Sequence, residues 1–208
     1  MNDRERFDAI FTGERPDRFP VVGFGAWGET RDRWHREGLD PGVDHNVALG
    51  LTGAGVLGLP LNLNMVPTLP VRVLRRDAEY VTLVDEYGVT KMMLRAEFER
   101  TEGRIGAAGL ANTMSHWLDF PVKDMASWKR LYEAHFRPDD PHRRPADWAA
   151  RKAEFRRRSE TEWVTLFNFP HGGLFGGIRQ LMGLEGLAFA LADQPRLIHT
   201  MVADLVDF

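Results

Sequence analysis

The sequence predicts an α/β fold, and three observations carry this prediction. Residues 71–94, "VRVLRRDAEYVTLVDEYGVTKMML", contain three short runs rich in β-branched and apolar side chains. The run "EWVTLFNF" at 162–169 is mostly apolar and is typical of a buried strand. Helical patterns lie before and after both stretches, and strands alternating with helices in this way favour an α/β architecture.

The composition is typical of a globular protein and excludes several function classes. The chain has 208 residues, of which 43% are hydrophobic and 27% charged, and its net charge of -3 favours neither a nucleic-acid nor a membrane partner. It has no cysteine, which excludes disulfides and thiolate metal sites. Its start, "MNDRERFDAIFTGERP", lacks the apolar core of a signal peptide, so a cytoplasmic location is predicted.

The first two predicted elements are a helix and a strand. Residues 4–12 have helical periodicity, with Asn2 or Asp3 as the N-terminal cap and Gly13 as the end. Residues 19–24, "FPVVGF", follow a proline-containing turn and form a short apolar strand. The order of helix, turn and strand is compatible with α/β layering.

The central region predicts a β-hairpin. Residues 79–84 and 89–94 alternate between apolar and polar side chains and flank "DEYG", in which Gly88 suits a tight turn. A further extended segment is expected to end near Trp117 and Leu118.

Helices are predicted for most of the remaining chain. Asp124 is a suitable N-terminal cap for the first of them. A charged amphipathic helix covers 146–158, and further helices cover about 174–182, 184–192 and 195–208. The last helix ends without glycine, proline or a basic final turn, so we expect the chain to be cut from a longer one.

Four segments together resemble the uroporphyrinogen decarboxylase family, which also contains the methylcobamide:coenzyme M methyltransferases. They are "RERFDAIFTGERPDRFPVV", "VDEYGVTKMM", "FPVKDMASWKRL" and "GGIRQLMGLEGLAFALADQPRLIHTMVADLVDF", and they occur in the family's order. The resemblance implies a partial (β/α)₈ TIM barrel with an inserted β-hairpin. Residues 1–208 would then be the N-terminal portion of a single domain that is truncated at its C-terminus.

The resemblance places the first candidate site in "PHGGLFGG". This loop would follow an inner barrel strand, at the face where such barrels keep their active sites. His171 is the candidate for proton transfer, and Gly172, Gly173, Phe175 and Arg179 are candidates for substrate binding. The alternative is that the glycines serve only a tight turn between a strand and a helix.

Two other segments supply weaker candidates. Arg31, with Trp27 as an aromatic wall, lies near the place where the decarboxylases hold substrate carboxylates, although the family's arginine pattern is missing there. The alternative is a solvated helix face. His116 is the second catalytic candidate because it lies at a predicted strand end, and its alternative is a hydrogen-bonded structural role.

The position of the family's essential aspartate is not matched. No Asp or Glu occurs between Asp44 and Asp77, and Asn62 and Asn64 are the polar side chains nearest to the expected place. An asparagine accepts a hydrogen bond from a pyrrole N–H, but it carries no negative charge to stabilise a cationic intermediate.

The function that the resemblance implies is a lyase acting on tetrapyrrole carboxylates. The alternatives are a corrinoid-dependent methyltransferase-like enzyme and a non-catalytic half-barrel that binds a partner or forms a homodimer. The seven histidines show no metal-ligand spacing, so we expect neither a metal site nor a cofactor. The expected partner is a small-molecule substrate, either a tetrapyrrole or a corrinoid-linked compound.

Overall fold

The computed structural model describes most of the chain, namely residues 1–21, 26–51, 61–101, 114–162 and 173–208. The chain divides into two compact units. The first contains residues 1–61 and 144–168, and the second contains residues 62–143 and 169–208. Within the described ranges, no helix has the length and apolar character needed to cross a membrane.

The secondary-structure elements are numbered along the chain. The helices are α1 (Asp3–Thr12), α2 (Gly28–Arg36), α3 (His45–Ala48), α4 (Arg95–Thr101), α5 (Met125–His135), α6 (Trp148–Arg158), α7 (Leu174–Met182), α8 (Leu184–Asp193) and α9 (Pro195–Asp207). The strands are β1 (Arg72–Arg76), β2 (Tyr80–Val84), β3 (Thr90–Leu94) and β4 (His116–Asp119).

Local side-chain signals explain where several helices begin and end. The Asn2 side chain accepts from the N–H of Glu5, and the Glu5 carboxylate accepts from the N–H of Asn2, which closes a capping box at α1. Gly13 ends α1 at φ 80°. Asp124 caps α5 by accepting from the N–H of Ser127 at 2.7 Å. The predicted helices at 4–12, after Asp124 and at 174–182 are confirmed.

The described strands form one sheet in the second unit. Its order is β1-β2-β3-β4, and every neighbouring pair is antiparallel. The predicted hairpin is confirmed, with Tyr80 opposite Leu94 and Val84 opposite Thr90. Gly88 takes φ 82° in its turn, which is a conformation that favours glycine.

The predicted (β/α)₈ barrel is wrong for the described chain. A barrel of that class needs parallel strands, each joined to the next by a helical crossover of about ten residues or more. Here only residues 85–89 lie between β2 and β3, and only 77–79 lie between β1 and β2. Connections this short permit antiparallel pairing alone. Residues 163–169 and 22–24 of the predicted strands at 162–169 and 19–24 lie outside the described residues.

The main hydrophobic core lies in the second unit, where α5 packs with α7, α8 and α9. Trp128 of α5 is fully buried in this core together with Leu197 and Met201 of α9. The indole Nε1 of Trp128 donates to the Asp204 carboxylate at 2.7 Å, so its polar atom is satisfied at the core's edge. Helix α5 is therefore held to α9 by both apolar burial and a hydrogen bond.

Gly183 separates α7 from α8, and we predict that Gly183→Ala destabilises the protein. Gly183 has φ 75°, and an added Cβ would lie 2.7 Å from Cδ2 of Phe120. The strained backbone and the steric overlap together are expected to lower the free energy of unfolding by about 2–3 kcal/mol. Urea denaturation followed by tryptophan fluorescence measures the change.

Gly186→Ala is the matched control, since it lies within α8 and an added Cβ would meet only Met182 at 3.9 Å. Alanine favours a helix interior over glycine, so this variant should be neutral or slightly more stable. Equal unfolding midpoints for the two variants would contradict the steric argument.

Candidate functional site

The N-terminus of α7 is the described part of the predicted glycine-rich site. Gly173 precedes the helix at φ 98° and ψ -172°, and no side chain of a described residue caps the helix there. Among the described residues, no acceptor bonds the backbone N–H groups of Leu174, Phe175 or Gly176. Unsatisfied N–H groups at a helix N-terminus carry partial positive charge and bind anions. The position therefore suits a carboxylate.

Helix α7 presents one apolar face to the core and another face to solvent. Gly176, Ile178 and Leu181 are buried against the second unit's core. Phe175 and Arg179 are exposed, and their spacing of four residues puts them on the same side of the helix. Arg179 has no ion-pair partner within the described ranges. The exposed face thus combines an aromatic ring with a guanidinium one turn from the uncapped amides.

The remaining members of this predicted site fall elsewhere. His171 and Gly172 lie outside the described residues, so the structure describes only Gly173, Phe175 and Arg179. His116 lies on β4, opposite Met92 of β3, and is exposed. Among the described residues, no hydrogen bond or ion pair joins His116 to α7.

Asn62 and Asn64 lie beside a buried arginine. The guanidinium of Arg143 is 3% exposed and donates Nη1–H bonds to the backbone carbonyls of Asn62 and Asn64 at 2.9 and 2.8 Å. The Oδ1 atom of Asn62 accepts from the N–H of Asn64 at 3.0 Å. The Asn62 side chain therefore stabilises a local turn, since its Oδ1 atom accepts a hydrogen bond from the backbone of Asn64.

Arg143 makes two further hydrogen bonds and is the polar centre of this region. It donates to the carbonyls of Arg137 and His135, and its guanidinium lies 4.2 Å from the ring centroid of Phe208. Sequence reasoning missed it because an arginine in "PDDPHRRP" looks like part of a solvated connection. No local pattern distinguishes Arg143 from Arg144.

Trp27 and Arg31 belong to the first unit, whereas the α7 residues belong to the second. Trp27 precedes α2 and is 49% exposed, and Arg31 lies on α2 and is half-buried. Among the described residues, no group of three or more His, Cys, Asp or Glu side chains is arranged to hold a metal ion.

Comparisons of the chain with models of protein families, with curated proteins and with solved structures found no match.

Proposed function

We propose that the chain binds a carboxylate-bearing small molecule at the N-terminus of α7 and acts as a uroporphyrinogen decarboxylase-like lyase on tetrapyrrole carboxylates. The observation that carries the proposal is the uncapped start of α7 at Gly173, with Phe175 and Arg179 exposed on its first turns. The four family-like segments favour this substrate class over other carboxylates.

The electrostatics of α7 favour an anion in two ways. The backbone amides after Gly173 present hydrogen-bond donors, and the helix dipole adds about 0.3–1 kcal/mol for a negative group there. Arg179 lies on the same exposed side as Phe175 and offers a charge-assisted bond to a carboxylate. Gly173 has no Cβ, so the ligand can approach the backbone closely.

The proposed chemistry divides between binding and proton transfer. Loss of carbon dioxide leaves an electron pair on the carbon that carried the carboxylate, and a proton must be delivered to that carbon. His171 precedes Gly173 by two residues in the chain and is the proposed donor, since histidine exchanges protons near neutral pH. Arg179 and the α7 amides would hold a second carboxylate and orient the substrate.

The test is turnover of uroporphyrinogen under anaerobic conditions, with the carboxylate number of the products determined by mass spectrometry. We expect Arg179→Gln to lower turnover by about 10-fold or more, since a hydrogen bond to a charged group is worth about 1.5–3 kcal/mol. Arg196→Gln, at another exposed arginine of the second unit, is the control and should change turnover less than twofold. If the wild-type chain releases no carboxylate, the decarboxylase proposal is rejected.

A second candidate function is a homodimerising module, which the exposed β4 strand favours. In the described sheet β4 pairs only with β3, and Trp117 and Leu118 are 43% and 48% exposed. An apolar edge strand is a template for pairing with another chain. Sedimentation velocity should show a concentration-dependent dimer that Trp117→Glu weakens, whereas Phe11→Glu in the first unit leaves it intact. A monomer at all concentrations would exclude this candidate.

A further inference from the structure

The second unit also contains a groove with an acidic lining. This groove suits a cation, whereas the α7 site is proposed to bind an anion. The loop from β4 to α5 forms one wall, α8 forms the other, and the cavity between them has a volume of about 390 Å³. Cavities of about 300–1,000 Å³ are typical of small-molecule sites. Its apolar lining includes Leu118, Phe120, Met182, Phe189 and Ala190.

The α8 wall carries a regular stripe of side chains. Glu185, Phe189 and Asp193 all line the groove and are spaced four residues apart. Residues with this spacing lie along one side of a helix. With a rise of 1.5 Å per residue, the Cα atoms of Glu185 and Asp193 are separated by about 12 Å along the helix axis. Phe189, which is 61% exposed, therefore lies between Glu185 and Asp193 along the helix.

The charges on the two walls are not balanced. Lys123 forms an ion pair with Asp119, and this hydrogen bond lowers the pKa of the Asp119 carboxyl. Glu185 and Asp193 have no ion-pair partner in the part of the chain that the structure describes. Asp193 also lies at the C-terminal end of α8, where the backbone carbonyls add negative potential and the last turn of the helix holds no basic side chain. The groove therefore attracts cations at both ends.

We propose that this groove binds a linear polyamine of about the length of spermidine. Its terminal ammonium groups would pair with Glu185 and Asp193, and its methylene chain would cross the ring of Phe189. An ammonium over an aromatic face gains cation–π attraction, and the methylene groups gain apolar contact with Leu118 and Phe120. Polycarboxylates are disfavoured here, which separates this groove from the proposed α7 site.

The distance between the two acids makes the proposal length-specific. A ligand with one ammonium group reaches one carboxylate, and a short diamine such as putrescine spans less than the separation of about 12 Å given by the helix rise. Spermidine in its extended form reaches a similar distance. Spermidine should therefore bind more tightly than putrescine. The difference in affinity should exceed the one that its additional positive charge alone would cause on an open acidic surface.

Isothermal titration calorimetry of the whole chain with spermidine at low ionic strength tests the proposal. We expect Glu185→Gln and Asp193→Asn each to weaken binding about 10-fold, which matches the range for charge-assisted hydrogen bonds. Phe189→Leu should weaken it several-fold while keeping an apolar side chain. Glu133→Gln removes an exposed acid from α5, outside the groove, and should leave the affinity unchanged.

Several outcomes would overturn the proposal. They are no binding of spermidine, equal affinity for spermidine and putrescine, or equal weakening by Glu133→Gln and the groove variants. The last result would indicate non-specific attraction to an acidic surface. Circular dichroism of each variant separates loss of binding from loss of folding. Because uroporphyrinogen turnover reports on Arg179 and this titration reports on α8, the two proposals can fail independently.

Discussion

Replacing Arg143 with methionine is expected to lower the free energy of unfolding by about 3 kcal/mol or more, since each hydrogen bond to a charged group contributes about 1.5–3 kcal/mol. The reason is the set of backbone carbonyls around its guanidinium, with donor–acceptor distances of 2.5–2.9 Å. Methionine fills a similar volume but removes the donors to the carbonyls of Asn62 and Asn64, whereas the carbonyls of His135 and Arg137 keep the N–H groups of Val66 and Asp140. Urea denaturation followed by tryptophan fluorescence measures the loss.

Two variants sharpen this test. Arg143→Lys keeps the charge, but a compact ammonium cannot reproduce the fork of donors that meets carbonyls on both sides, so an intermediate loss is expected. Arg144→Met changes the neighbouring exposed arginine and should cost less than about 0.5 kcal/mol, as is usual at the surface. Equal losses of unfolding free energy for Arg143→Met and Arg144→Met would refute the proposal that the hydrogen bonds from Arg143 to backbone carbonyls stabilise the protein.

The second large effect is expected at the buried charge pair of the hairpin. Asp85 is fully buried, and its Oδ2 lies 3.4 Å from Nζ of Lys91, whose side chain is 5% exposed. The other oxygen, Oδ1, accepts from the N–H groups of Tyr87 and Val89 at 2.9 and 3.0 Å. Asp85→Ala removes these turn bonds and leaves the Lys91 ammonium buried without a counter-charge. We expect a loss of about 3–5 kcal/mol in unfolding free energy.

A double variant distinguishes the charge from the turn. Asp85→Asn combined with Lys91→Met removes both charges while keeping an oxygen acceptor for the turn, so its loss should be smaller than the sum of the losses of Asp85→Asn and Lys91→Met. Asp139→Asn is the control, because its ion pair with Arg137 is exposed and worth at most about 1 kcal/mol. Additive losses in the double variant would contradict the proposed coupling, and urea denaturation of all four proteins decides this.

The helices and the hairpin were predictable because their determinants are local. Asn2, Asp124 and Gly13 act on backbone groups only a few residues away, and Gly88 permits the turn that joins β2 to β3. The candidate site was predictable in part for the same reason. Glycine before an apolar helix indicates an uncapped N-terminus, and the spacing of Phe175 and Arg179 places them on one side of it.

The sheet topology was predicted wrongly because the resemblance to a barrel family made the hairpin an insertion beside parallel strands, whereas the described sheet is antiparallel throughout. The five residues 85–89 and the three residues 77–79 already restrict β1, β2 and β3 to antiparallel pairing. The addition of β4 at the sheet edge has no comparable local signal, because residues 95–115, which include α4, separate it from β3 in sequence. Sequence patterns do not state which edge a distant strand will join.

The sequence by itself determined the ends of the helices, the hairpin and the exposed side of α7, since each depends on residues within about two turns or one loop. Only the tertiary structure decided that Arg143 is buried among carbonyls, that Lys91 meets Asp85 inside the sheet, and that the acids of α8 face the β4–α5 loop. Those arrangements depend on segments far apart in the chain, and their partners are set by core packing that no short sequence pattern encodes.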